Sequence, residues 1–122
     1  LNNLRGWHIK KKLDIKLMII GSKKLLGTKD FATFRSSNCG AKSSIKTLKS
    51  VRIKIKGEKI EIKFKSKSFL KQQVRSMVGC LKYLGEKKWN LEKFIKVMNS
   101  KKRSFCAPPA PPHGLYLEKV IY

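Results

Sequence analysis

Apolar and polar residues alternate most sharply over residues 51–65. Val51, Ile53 and Ile55 interleave with Arg52, Lys54 and Lys56, and after Gly57-Glu58 the pattern resumes with Ile60, Ile62 and Phe64 between Lys59, Glu61, Lys63 and Lys65. Period-two alternation places each set on one face of a strand. A two-residue Gly-X loop closes such strands into a hairpin, which pairs Lys56 with Lys59. Continuing that register sets Ile55 against Ile60, Ile53 against Ile62 and Val51 against Phe64, with every apolar side chain on one face.

Helical periodicity takes over in the next stretch. Leu70, Val74, Met77, Val78, Leu81 and Leu84 form one stripe of a helix running from Ser68, a capping residue, to Gly85. On the opposite side Gln72, Arg75, Ser76, Gly79 and Tyr83 fall together without a lysine, Lys71 and Lys82 lying at the border. In a lysine-rich chain a solvated face carries several lysines, so this one is expected to be covered. A glycine inside a helix costs roughly 1 kcal/mol against alanine, which makes Gly79 the natural point of close approach.

Two further helices follow from spacing. Asp14 caps one in which Leu13 staples onto Met18, and Ile15, Met18, Ile19, Leu25 and Leu26 keep helical intervals up to Gly27, with Lys23 and Lys24 in the last turn. Asn90 caps another carrying Leu91, Phe94, Ile95 and Met98. Weaker strand signals lie at Leu4 to Lys10 and Leu115 to Tyr122, and Ser36 to Ser44 reads as loop. Residues 107–112, rich in proline, form a stiff extended connector. The sum is β-α-β-β-α-α-β: an α+β, ferredoxin-like unit with an antiparallel sheet and helices on one face.

Length and charge then narrow the function. At 122 residues the chain is a single domain, 1–122, or half of a larger one. Thirty Lys+Arg against seven Asp+Glu, a formal net charge of +23, call for a polyanionic partner, most simply nucleic acid. Part of that charge is compositional bias, because only five of the thirty are arginine. Cys39, Cys80 and Cys106 are odd in number and widely spaced, with only His8 and His113 beside them, a pattern that argues against zinc or a disulfide framework and for a reducing cytoplasm. No apolar run reaches the length of a membrane span and no signal peptide is visible.

Three motifs carry a resemblance. Lys29-Asp30-Phe31-Ala32-Thr33-Phe34-Arg35, then Ser68-Phe69-Leu70 with Gln73-Val74-Arg75-Ser76-Met77-Val78-Gly79, then Ala110-Pro111-Pro112-His113-Gly114-Leu115-Tyr116-Leu117, resemble the TruA family of tRNA pseudouridine synthases in order and spacing. The chain resembles the second, C-terminal half of such an enzyme. It departs from the family pattern at Ser44, where proline is frequent, and at Lys46, where arginine is common. The family's nucleophile is an aspartate of a Gly-Arg-x-Asp-type motif in the first half, whereas Asp14 and Asp30, the aspartates present here, stand in other contexts.

The resemblance implies that this aspartate attacks a uridine flipped out of the tRNA anticodon stem-loop, detaching the base so that it rejoins through carbon. It implies no metal and no cofactor, a cytoplasmic homodimer, and the missing N-terminal half as a partner. Arg75 matches the arginine that pairs with the aspartate, a role suited to a planar, bidentate guanidinium. Leu115 matches the apolar lining of the uracil pocket, with Gly114 and Tyr116 beside it. Lys29, Arg35, Lys42, Lys46, Lys71 and Arg103 are the candidates for RNA contact.

Plainer roles compete with these. Arginine on the outer side of a helix is commonly a solvated charge. Phe31 and Phe34 suit packing better than base stacking, Asp30 suits a turn, and most lysines act only through their summed field. The rival function is a non-catalytic basic module, ribosomal or RRM-like. An RRM needs aromatics on its open sheet face, where this hairpin carries Arg52, Lys54, Lys56, Lys59, Lys63 and Lys65.

Overall fold

The alternating segments pair in the expected register: Lys56 with Lys59, Ile55 with Ile60, Ile53 with Ile62 and Val51 with Phe64. The computed structural model describes residues 13–35, 43–56, 59–70, 72–109 and 116–119. The expected strand at Leu4 to Lys10, the loop Gly57-Glu58 and residues 110–115 lie outside them. In chain order the elements are α1 (Ile15–Lys24), β1 (Gly27–Asp30), β2 (Ile45–Lys56), β3 (Lys59–Ser66), α2 (Gln73–Gly85), α3 (Leu91–Ser100) and β4 (Tyr116–Lys119), with 3-10 turns at Ala32–Phe34 and Arg103–Phe105.

The sheet order is β1-β2-β3-β4. Its first three strands are antiparallel, as expected, and β4 joins β3 in parallel, Leu117 beside Phe64. Ile60, Ile62 and Phe64 are buried on the inner face; Val51 and Ile53 are half-buried, and Ile55 at the far end of the hairpin stays 61% exposed. The β2 strand starts at Ile45, well before Val51. A shift of register between Leu48 and Ser50 marks a bulge at Lys49, so Leu48 and Val51 both face the core although three residues apart. Strand β1, Gly-Thr-Lys-Asp, has no apolar residue to announce it. It is held by its pairing to β2, by a Thr28–Thr47 hydroxyl contact of 2.7 Å, and by Gly27, whose φ of +99° turns the chain out of α1.

Capping at the two outer helices is as the spacing predicts. Asp14 accepts the Leu17 amide at 3.0 Å and Asn90 accepts the Lys93 amide at 2.8 Å. Leu13 and Met18 are both buried in the core, and the Asp14 amide donates to the Gly85 carbonyl at 2.9 Å, fixing the start of α1 against the end of α2.

Helix α2 differs from expectation at its start. It begins at Gln73, not near Ser68, and Gln72 precedes it in the left-handed region with φ 64°. Ser68 does not cap: its hydroxyl accepts Lys46 Nζ at 3.1 Å and its carbonyl accepts Ser66 Oγ at 2.7 Å. The amide of Leu70 is satisfied by the fully buried side chain of Gln73 at 2.8 Å. The apolar stripe itself is as read, with Leu70, Val74, Met77, Val78, Leu81 and Leu84 all buried.

Candidate active-site helix and nucleic-acid interface

Arg75 lies in the first turn of α2 and is half-buried. The residues around it are shaped by the segment after α3, which folds back along this side of the helix. Ser76 is fully buried and its hydroxyl accepts Arg103 Nη1; Arg103 Nη2 lies 3.5 Å from Gln72 Oε1. An added Cβ on Gly79 would meet the Pro108 carbonyl oxygen at 2.1 Å. The lysine-free face is therefore covered, as expected, but over Ser76 and Gly79 the cover is residues 103–109 of this chain.

Gln72 contributes a second local constraint. A non-glycine residue in the left-handed region costs roughly 1–2 kcal/mol. The strain falls three residues before Arg75, where the Ser68–Gln73 turn aims the first turn of the helix. No periodicity signals such a start, because the turn is set by Gln73 and by Arg103 from far along the chain.

The expected RNA contacts separate into groups. Lys29 and Lys46 face each other across β1 and β2. Lys46 also ties to Ser68, and so to the turn that leads into α2. Arg35 ends the 3-10 turn after β1 and is half-buried. Arg103 is turned toward Ser76 and Gln72. Tyr116 opens β4 opposite Lys63 in register. Lys42, Lys71, Gly114 and Leu115 lie outside the described residues.

A further basic site is on the outer face of the hairpin. Ser50, Arg52, Lys54, Lys63 and Lys65 line a shallow depression of about 110 Å³. Arg52 stands directly opposite Lys63 and Ser50 opposite Lys65, while Lys54 faces Glu61. The depression is thus lined by four cationic side chains and one hydroxyl. The signal for these residues is the alternation itself, which assigns them to one face without saying that the face is a site.

The two aspartates are both structural. Asp14 caps α1 and lies 3.7 Å from Lys87 Nζ. Asp30 accepts the Ala32 amide at 3.0 Å and the Ser44 hydroxyl, closing the turn after β1. Phe31 and Phe34 are buried, rings 6.2 Å apart, and serve packing. Thr33 between them donates to the carbonyls of Val97 and Met98, both at 3.1 Å.

Comparison with known proteins gives the chain a family. Residues 22–122 match the family model described as tRNA pseudouridine synthase. The chain is 71% identical over all 122 residues to tRNA pseudouridine synthase A of Pelagibacter ubique, covering 50% of that protein. It is 42% identical over 118 residues to the proteins of the same name from Zymomonas mobilis and Rhodopseudomonas palustris, in each case 97% of this chain and 48% of the relative. The chain thus spans about half the length of the curated relatives it matches.

Proposed function

The chain belongs to the tRNA pseudouridine synthase family, and from that premise we propose that the protein isomerises uridine to pseudouridine in the anticodon stem-loop of tRNA. The observation that carries the reading is the placement of Arg75, half-buried at the strained start of α2. There its guanidinium is suited to hold a carboxylate bidentately, keep it ionised and aim it.

That carboxylate comes from the half of the relatives this chain does not cover, since Asp14 and Asp30 are committed to a cap and a turn. In the reaction the aspartate attacks the flipped nucleotide, the base leaves its nitrogen linkage and rejoins through carbon, with no net gain or loss of atoms. Leu115, with Gly114 and Tyr116, lines the pocket for the flipped uracil. The basic outer face of β2 and β3, together with Lys29, Lys42, Lys46 and Lys71, contacts the phosphates, which position the tRNA without specifying its sequence. The working enzyme on this reading is a cytoplasmic homodimer. Among the described residues no helix is long and apolar enough to cross a membrane.

The test is pseudouridine formation on unmodified tRNA. The intact protein is expected to form it, and the 122-residue chain alone is expected to bind tRNA without forming it. An intact protein that binds tRNA and leaves every uridine unchanged contradicts the reading and favours a non-catalytic RNA-binding module.

A further inference from the structure

The segment that folds back over α2 touches the helix at three successive points: Arg103 with Ser76, Cys106 with Cys80 and Pro108 with Gly79. The middle point joins two free thiols whose Sγ atoms are 3.5 Å apart. A disulfide bond is about 2.04 Å long, so closure asks the two sulfurs to approach by about 1.5 Å. Their surroundings differ. Cys80 is buried in the core, whereas Cys106 is half-exposed in the turn, with Arg103 Nη1 at 3.9 Å from its sulfur.

We propose that Cys80 and Cys106 form a peroxide-responsive pair, in which a hydroperoxide oxidises Cys106 and Cys80 resolves the product to a disulfide that staples the 103–107 turn onto α2. The electrostatics agree with that division of labour. A hydrogen bond from the Cys80 thiol, then the Arg103 charge, lower the Cys106 thiol from its ordinary value, while that same bond and burial push Cys80 far up. Cys106 is thus the reachable thiol, more readily ionised than usual, and Cys80 the protected one.

In the first step the Cys106 thiolate attacks one peroxide oxygen. The O–O bond breaks, and the other oxygen leaves with a proton as water, giving a sulfenic acid. In the second step the Cys80 sulfur attacks the Cys106 sulfur. The S–O bond breaks, and the hydroxyl leaves with the Cys80 proton as a second water. Two thiols and one hydrogen peroxide give one disulfide and two waters. Nothing in this depends on the isomerisation.

The experiment treats the reduced intact protein with hydrogen peroxide, blocks remaining thiols and maps the peptides by mass spectrometry. Expected is a Cys80–Cys106 cross-link in the wild type, together with a melting temperature raised by about 5–10 °C, as closing a loop of this length implies. In Cys80→Ala the oxidised Cys106 is expected to stop as a sulfenic acid trapped by dimedone. Separate alkylation of both cysteines in peroxide-treated wild type overturns the proposal. So does Cys106 recovered as sulfinic acid beside a free Cys80.

Discussion

The outer face of the hairpin and the outer side of α2 make an instructive contrast. Both carry polar residues opposite a buried apolar stripe, and both lie next to the motifs that identify the family. The hairpin face is studded with cations, Arg52 opposite Lys63, around a depression of about 110 Å³. The α2 side has no lysine between its borders, and much of it is roofed by residues 103–109, with Ser76 and Gly79 buried. Charge density therefore separates a face that stays wet from one that is covered. It does not say by what the second is covered, and here the cover is local to the chain.

Substitutions on the two faces are expected to diverge. The largest effect on stability belongs to Gly79→Ala, whose new methyl collides with the Pro108 backbone. It should lower the unfolding free energy by about 1–3 kcal/mol in a urea melt, in spite of the helix propensity gained. A neutral or stabilising Gly79→Ala means the 103–109 segment is not seated on α2.

Next is Arg103→Ala, which removes the hydrogen bonds to Ser76 and Gln72 and should cost about 1 kcal/mol. If Arg103 serves the fold in this way, the salt dependence of tRNA binding is unchanged by its loss. A shallower salt slope with an unchanged melt would return Arg103 to the RNA contacts expected from sequence.

The smallest effect on stability, and the opposite pattern, is expected for Arg52→Gln combined with Lys63→Gln. Relieving a like-charge pair should leave stability within about 0.5 kcal/mol. The slope of log affinity against log salt should become shallower by about one for each phosphate that is no longer neutralised. An unchanged slope removes the hairpin face from the interface.

Legibility in the sequence follows the range of the interactions. The hairpin register, the caps at Asp14 and Asn90 and the stripe of α2 depend on neighbours a few residues away, and each is where the pattern puts it. Three features escape for a physical reason. The bulge at Lys49 breaks the period-two pattern and hides the first half of β2. Strand β1 has no apolar residue and is a strand only by pairing. The late start of α2 depends on Gln73 folding back to Leu70 and on Gln72 held at positive φ. Arg75 is a candidate through the family motif, and its role rests on the proposal. The roof beside it and the meeting of Cys80 with Cys106, 26 residues apart, are tertiary facts without a local signal.

The central claim is that the first turn of α2 aims Arg75 at a catalytic carboxylate, and turnover of the full-length Arg75→Lys variant, measured beside its thermal melt, tests it most directly. Lysine keeps the charge and loses the fork. Pseudouridine formation should therefore fall about ten- to a hundredfold or more, the loss of about 1.5–3 kcal/mol expected for one charge-assisted pair, with the melt unchanged. Wild-type turnover in Arg75→Lys would contradict the assignment of the active site to this helix.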